Sequence, residues 1–255
     1  MDTLDRDVTL TTADGTCDAA FFHPTAGVSP GVILWADAFG LRPATRAMGK
    51  RLASDGYAVL VPNPFYRVRK APQFETAKHF DFGDPAQRAV LTPLLDSIKA
   101  PGHAERDAAA FADWLDDQRE VDSAKGIGVH GYCMGGALAV RSAATVPNRL
   151  RACASFHGSG LVTPNPDSPH LLAPKMAATT YFGVARNDDE KDPAAKTTLK
   201  EAFDAVNLPT EVEVYPAQHG WCMPDFPIYA EEQAERAWGK LLELYNRTLN
   251  WPVKR

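Results

Sequence analysis

The sequence has little that would direct the chain to a membrane or a nucleic acid. No apolar run approaches the length that crosses a bilayer, and the opening segment MDTLDRDVTL carries acids without an apolar stretch. The 255 residues carry a net charge of -5, and no cluster of basic residues is longer than the scattered group Arg67, Arg69 and Lys70. We therefore expect a cytoplasmic protein that acts on a small molecule, with no nucleic acid and no membrane as partner.

Cysteine is also scarce, and its spacing excludes two structural uses. The four cysteines, at positions 17, 133, 153 and 222, form no CxxC pair and no His/Cys pattern suited to zinc. Thiols in a reducing compartment usually stay unpaired. We expect neither a metal site nor a disulfide framework, which leaves a cysteine available as a working thiolate.

Repeats and low-complexity linkers are absent as well, and 45% apolar against 23% charged residues is typical of a globular protein. Short apolar runs of β-forming residues alternate with segments of helical composition. This pattern predicts one α/β domain over residues 1–255, with a mainly parallel sheet and helices on both faces. The predicted strands are 31–37, 57–62, 126–132, 151–156, 176–184 and 211–216, and the predicted helices are 43–55, 194–206 and 231–247.

Three segments depart from this alternation. Residues 7–24 contain two alternating runs around an ADGT turn, which predicts a hairpin lying antiparallel at the sheet edge. Residues 62–85 hold prolines 62, 64, 72 and 85 among several aromatics and cannot be regular throughout. This long segment and the irregular stretch 159–174 are candidates for the walls of a pocket.

The strongest local motif is Gly131-Tyr132-Cys133-Met134-Gly135-Gly136, which stands between an apolar strand and a segment of small residues. It has the G-x-nucleophile-x-G form of a nucleophile elbow, with cysteine where serine is usual. The tight turn places the sulfur at a helix N-terminus, where the dipole favours a thiolate. We predict that Cys133 is a nucleophile and that the N–H of Met134 forms half of an oxyanion hole.

A thiolate of this kind needs a base, and His219 follows the predicted strand 211–216 near the C-terminus. In α/β-hydrolases the chain order is nucleophile, acid, histidine, so the acid is expected on the loop ARNDDEKD after strand 176–184. Asp188 is the first choice, Asp189 a close second and Asp192 a distant third. His157 also ends a predicted strand near the pocket mouth, where a satisfied buried histidine is the simpler interpretation.

With these motifs in this order, the chain resembles the dienelactone hydrolase family of α/β-hydrolases, from GVILWADAFG at residue 31 to the closing helix. Cysteine in the elbow is a fairly specific mark of that family. The resemblance implies a cytoplasmic hydrolase without a cofactor. It also implies that the enzyme opens small lactones or esters, typically carboxylate-bearing dienelactones, through an acyl-thioester intermediate.

Further site residues follow from the resemblance alone. Asp37 takes the place of a family glutamate that hydrogen-bonds the resting thiol, and the N–H of Ala38 would complete the oxyanion hole. Arg67 takes the place of an arginine that binds the substrate carboxylate, a task that suits a guanidinium because it can form two parallel hydrogen bonds. The family has a second arginine shortly after the histidine, whereas this chain has Trp221 and Met223 there, which suggests a more apolar pocket.

Other interpretations remain open at this stage. A general carboxylesterase acting on uncharged esters is favoured by the missing second arginine. A relative that binds a small ligand without catalysis would keep its binding in Cys133→Ala. A redox role would pair Cys133 with Cys222, three residues beyond His219. The oligomeric state is unknown.

Overall fold

The computed structural model describes residues 1–249. Its strands, β1 to β8, cover Thr3–Thr12, Gly15–Pro24, Gly31–Trp35, Ala58–Pro62, Ile127–Tyr132, Leu150–Phe156, Thr179–Ala185 and Thr210–Tyr215. Its α-helices, α1 to α7, cover Pro43–Ser54, Pro85–Lys99, His103–Asp116, Met134–Thr145, Arg186–Lys191, Ala195–Asp204 and Glu231–Leu249, and a 3-10 helix covers Pro169–Lys175.

All eight strands belong to one sheet, in the order β1-β2-β4-β3-β5-β6-β7-β8. Strands β3 to β8 run parallel to one another, while β1 and β2 form an antiparallel hairpin that joins the sheet by antiparallel pairing of β2 with β4. The predicted α/β class and the predicted edge hairpin are both confirmed. Parallel strands need crossover connections, and the helices between them supply these connections.

Helices cover both faces of the sheet, because successive side chains of a buried strand point to opposite faces. Ile33 and Trp35 of β3 belong to a core that includes side chains of α3, α4 and α6. Val32 and Leu34, in between, belong to a second core with α1 and α7. The predicted closing helix packs in this second core through Trp238, among others.

Two local differences from the predicted elements affect the site. Strand β3 ends at Trp35 rather than at residue 37, so the following residues are free to turn across the carboxyl edge of the sheet. The expected loop ARNDDEKD is largely a short helix, α5, which begins at Arg186. Asp188 and Asp189 stand in its first turn, where carboxylates complement the helix dipole.

The segment after β4 is irregular until Asp84, whose side chain accepts from the N–H of Ala86 and caps α2. Neither α2 nor α3 is among the predicted elements. A third, smaller apolar cluster lies here and contains Phe39, Ala77 and Leu91. This cluster connects α2 to the turn after β3, at the carboxyl edge where ligands of open parallel sheets bind.

Candidate active site

The predicted elbow joins β5 to α4, and Cys133 is its strained residue, with φ 54° and ψ -120°. The turn is tight because neighbouring backbones approach closely. A Cβ at Gly131 would stand 2.0 Å from the carbonyl oxygen of Gly135, and one at Gly135 would stand 2.5 Å from that of Trp35. Glycine is therefore required at both positions. The turn leaves Cys133 as the N-cap of α4, beside the N–H groups of the first turn that have no acceptor within the helix.

The end of β6 and the residues just after it hold the elbow in place. The N–H of Cys133 donates to the carbonyl of Phe156 at 3.2 Å and to Nδ1 of His157 at 3.1 Å. Its carbonyl accepts from the N–H of Ser159 at 3.0 Å. The sulfur itself lies 3.5 Å from the hydroxyl of Ser159. The end of β6 and the residues that follow it therefore fix the position of Cys133.

His219 follows β8 and faces the same cavity as Cys133. Its Nδ1 lies 2.6 Å from Oδ2 of Asp188, and its backbone N–H donates to Oδ1 of Asn187 at 2.7 Å. Asp189 instead accepts from Lys196 at 2.5 Å. The structure thus brings Asp188 to the histidine and turns Asp189 away, since neighbouring residues of a helix point about 100° apart.

The environment of His219 favours its protonated form. Burial lowers its pKa, but hydrogen bonding to Asp188 and interaction with Cys133 outweigh burial and raise the pKa to about 10. At neutral pH the ring therefore holds a proton beside the sulfur. The bond to Asp188 directs the other ring nitrogen, Nε2, away from the acid.

Ala38 and Met134 line the cavity beside Cys133, as expected for an oxyanion hole. Met134 is the first residue of α4, so its N–H is one of the four that have no acceptor within the helix. Ala38 lies in the turn that follows the end of β3 at Trp35.

The structure does not bring Asp37 to the thiol as expected. Both carboxylate oxygens of Asp37 bind the buried guanidinium of Arg42, at 2.6 and 3.0 Å. The same guanidinium donates to both oxygens of Asp225, at 2.8 and 2.7 Å. Asp225 also accepts from the N–H of Ala77 at 2.9 Å. Asp37 therefore anchors the turn that carries Ala38, because its oxygens are occupied by Arg42 rather than by the sulfur.

Arg67 also lies elsewhere than expected, outside the lining of the cavity. Its guanidinium binds Asp107 of α3 at 2.7 and 2.8 Å and Asp14 of the β1–β2 turn at 2.7 Å. It also stacks over the ring of Tyr66, 4.5 Å from the centroid. The expected substrate contact is thus replaced by structural ion pairs, since carboxylates from two neighbouring elements already bind both terminal nitrogens of the guanidinium.

Three residues near the histidine also differ from expectation. Trp221 and Met223 are wholly buried in the core on the α1 and α7 face, so they are not the source of an apolar pocket. Cys222 lies in the same core and lines a separate cavity of about 210 Å³. It therefore stands apart from the Cys133 cavity, contrary to the redox hypothesis.

His157 is a site residue that the sequence did not single out. Its ring is fully buried, with its centroid 5.0 Å from that of His219, and its backbone has φ 40°. Burial, together with the charge on His219, holds the pKa of His157 well below its usual range. The ring is therefore neutral, which lets Nδ1 accept the N–H of Cys133.

A cavity of about 1090 Å³ opens over Cys133. The polar residues Cys133, His157, Ser159 and His219 stand at one end, which we call the nucleophile end. The rest of the lining is largely apolar and comes from α2, the start of α3, α4 and the segments after β3, β4, β6 and β8. It includes Phe39, Phe80, Phe82, Leu91, Leu95, Ile98, Leu138, Phe226 and Ile228.

Within residues 1–249, no group of three or more His, Cys, Asp or Glu side chains is arranged to hold a metal ion. The same residues include no helix that combines the length and the apolar character needed to cross a bilayer.

Comparison with known proteins finds one family over most of the chain. The model of the dienelactone hydrolase family matches residues 17–249. A carboxymethylenebutenolidase of a Pseudomonas species is 27% identical over 224 residues, covering 88% of this chain and 87% of the relative. The carboxymethylenebutenolidase of Rhodococcus opacus is 27% identical over 248 residues, covering 92% and 88%.

Solved structures share the fold over almost the whole length. A dienelactone hydrolase-like promiscuous phosphotriesterase from metagenomic libraries superposes with a TM-score of 0.78 at 23% identity, covering 98% of this chain and 100% of the other. This likeness concerns the fold, while the family model covers the elbow, the acid and the histidine in sequence. The chain therefore belongs to the dienelactone hydrolase family and is a hydrolase that acts on ester or lactone bonds.

Proposed function

We propose that Cys133, His219 and Asp188 form a catalytic triad that hydrolyses an ester or lactone through an acyl-thioester intermediate. The observation that carries this proposal is the arrangement around His219, which binds Asp188 at 2.6 Å and faces the same cavity as Cys133. Asp188 and Cys133 together raise the pKa of His219 to about 10. A thiolate beside an imidazolium is the activated form of a cysteine nucleophile.

Acylation begins when the Cys133 thiolate attacks the carbonyl carbon. Negative charge collects on the carbonyl oxygen, which the N–H groups of Ala38 and Met134 stabilise. The carbon–oxygen bond to the leaving alcohol then breaks, and the proton held by His219 passes to the departing oxygen. The acyl group remains on sulfur as a thioester, and the imidazole is neutral.

Deacylation uses the change in charge that acylation produces. The thioester carries no charge, so one of the groups that held the proton on His219 is removed. The neutral imidazole can then take a proton from water, and the resulting hydroxide attacks the thioester carbonyl. Collapse of the intermediate expels the thiolate and the carboxylic acid, and His219 is again protonated. Asp188 fixes the ring throughout.

The test compares wild type with Cys133→Ala and Cys133→Ser on a dienelactone and on 4-nitrophenyl acetate. We expect Cys133→Ala to lose at least about 10⁴-fold in kcat/KM on every ester that the wild type cleaves. Mass spectrometry of His219→Asn mixed with the acetate should find one acetyl group on Cys133. Retained turnover in Cys133→Ala would exclude the triad, because hydrolysis would then not need this thiol.

A second candidate, a carboxylesterase for uncharged esters, is favoured by one observation. Arg67 binds Asp14 and Asp107 and is absent from the cavity lining, so the residue that the family would use for a substrate carboxylate is occupied elsewhere. The dienelactone and the acetate separate the two candidates, because only the dienelactone carries a carboxylate.

A further inference from the structure

The cavity wall beyond the nucleophile end has an aromatic part built around Phe39. The ring of Phe39 makes edge-to-face contacts with Phe80, Phe82 and Phe226, at centroid distances of 4.9, 5.9 and 5.4 Å. Such contacts fix the rings relative to one another. The aromatic part is thus an ordered apolar surface next to Ala38, one of the two residues proposed to stabilise the oxyanion.

Helix α2 supplies the aliphatic part of the same wall. Leu91, Leu95 and Ile98 line the cavity at intervals of four and three residues, which places them on one face of the helix. Val90 does not line the cavity and is 47% exposed. We call the six residues Phe39, Phe80, Phe82, Leu91, Leu95 and Ile98 the apolar wall.

Cations that line the cavity are already paired with carboxylates. Arg141 donates to Glu105 at 3.0 Å and to Asp167 at 3.0 Å, and both acids line the cavity too. Lys99 donates to Asp96 at 3.1 Å. Within residues 1–249, the lining therefore offers a substrate carboxylate no guanidinium that is free of an acidic partner.

An unpaired carboxylate against the apolar wall would lose its hydration without compensation. A hydrocarbon group there would gain by leaving water. The volume of about 1090 Å³ also lies just above the range of roughly 300–1,000 Å³ that is usual for small-molecule sites. A small ring lactone would leave much of this space empty.

We infer that the substrate is an uncharged ester with a long or bulky hydrocarbon group, which packs on the apolar wall while the carbonyl reacts at Cys133. This inference rests on the proposed function and specifies its substrate class. It places specificity in residues from α2 and the preceding segment, since these supply five of the six wall residues.

The first experiment measures kcat/KM for 4-nitrophenyl acetate, butyrate, hexanoate and octanoate. Each methylene that becomes fully buried should raise kcat/KM by up to about fourfold, so we expect at least a tenfold rise from acetate to hexanoate. The 4-nitrophenyl monoester of adipic acid has the same six-carbon chain as the hexanoate but ends in a carboxylate. It should react at least tenfold more slowly than the hexanoate. A flat series, or preference for the monoester, would overturn the inference.

Two variants on α2 test the wall directly. Leu95→Arg puts a cation on the cavity face and should lower kcat/KM for the hexanoate while raising it for the adipate monoester. Val90→Arg makes the same change on the exposed face of the same helix and should leave both values within a factor of two. Equal effects of the two variants would contradict the inference.

Leu95→Ala provides a second measurement if the arginine prevents folding. It should reduce the ratio of hexanoate to acetate activity, since only the longer chain reaches the wall, and an unchanged ratio would again contradict the inference. The activity of Cys133→Ala on 4-nitrophenyl acetate distinguishes a failure of the proposed function from a failure of the inferred substrate class. Activity retained there removes the proposed function, whereas Cys133-dependent activity without chain-length preference removes the substrate class alone.

Discussion

The two ends of the cavity are built from different parts of the fold. At the nucleophile end, Cys133, Asp188 and His219 follow β5, β7 and β8, and hydrogen bonds fix their backbone or side chains. At the other end, the apolar wall comes mainly from α2 and the irregular segment before it, and its contacts are apolar. The proposed chemistry thus depends on the central sheet, whereas the surface proposed to meet the rest of the substrate depends on a peripheral helix.

This difference has a physical cause. A hydrogen-bonded catalytic group must keep its geometry to within fractions of an ångström, and strand ends of a buried parallel sheet provide such rigidity. Apolar contact is not directional and tolerates substitution of similar volume. Sequence change in α2 can therefore alter substrate preference without moving the nucleophile.

The largest effect should come from the acid at the nucleophile end. We expect Asp188→Asn to lower kcat about 1,000-fold or more, because the histidine loses the partner that fixes its ring and stabilises its charge. The control is Asp189→Asn, next in sequence, which loses only a bond to Lys196 and should stay within about threefold. Steady-state kinetics on one ester checks both. Equal losses would contradict the assignment.

The next largest effect should be the loss of stability when Arg42, which supports the nucleophile end, is replaced. Arg42→Met leaves Asp37 and Asp225 without their common partner, and we expect the free energy of unfolding to fall by about 3–5 kcal/mol. Arg46→Met removes an ion pair with Asp7 at the surface and should cost at most about 1 kcal/mol. Urea denaturation of both variants measures the difference, and a small loss in Arg42→Met would show that the buried cluster contributes little.

The nucleophile end should also be the less tolerant of added volume. In Gly131→Ala the new methyl would meet the carbonyl of Gly135, so we expect a loss of about 3 kcal/mol in stability together with reduced kcat. Gly239→Ala is the matched control in α7, because a Cβ there meets nothing within 4 Å. It should increase stability by about 0.5–1 kcal/mol through better helix propensity. Thermal denaturation distinguishes the two.

A smaller effect concerns pH and His219. The pKa of His219 is about 10 in the folded protein and the usual 6.5 in the unfolded chain, so the folded state binds more protons between these values. The stabilisation that this bound proton contributes to the folded state is fully present below about pH 6.5 and is lost as pH rises towards 10. The stability of wild type relative to His219→Asn should therefore decline from about pH 7 to about pH 10. Parallel curves for the two proteins would contradict the raised pKa.

The smallest effect on activity should come from Arg67, which binds Asp14 of the β1–β2 turn and Asp107 of α3 rather than either end of the cavity. We expect Arg67→Met to leave kcat/KM, corrected for folded protein, within about twofold on both charged and neutral esters, because the residue contacts neither the nucleophile nor the wall. A selective loss on carboxylate-bearing esters would restore the expected role of this arginine.

Local pattern was sufficient to predict the nucleophile end. The elbow requires glycine at fixed offsets, and strand alternation places Cys133, the acid and His219 at one edge of a parallel sheet in a known order. The acid itself was left open between Asp188 and Asp189, since the sequence did not reveal the turn of helix that points them apart. His157 was judged a buried structural histidine, and its contact with the N–H of Cys133 has no local signature.

Partners distant in sequence could not be predicted in the same way. Arg42 and Arg67 are both arginines in loops that follow apolar strands, and nothing near either residue indicates which carboxylates it meets. The prolines and aromatics of 62–85 marked an irregular segment, but the packing of Phe80 and Phe82 on Phe39 depends on the whole chain. The apolar wall and its charge balance were therefore visible only in three dimensions.

The Arg42 cluster also bears on how the protein reaches its active form. Arg42 and Asp225 are 183 residues apart in sequence, and Asp225 and Ala77 are 148 apart. Contacts of such separation require the closure of long loops, so they form after local structure and contribute to slow folding. The turn that carries Ala38 thus gains its full set of supporting bonds only when residues 42, 77 and 225 have come together. Regain of catalytic activity would then report the completion of folding, after the helical signal has already returned.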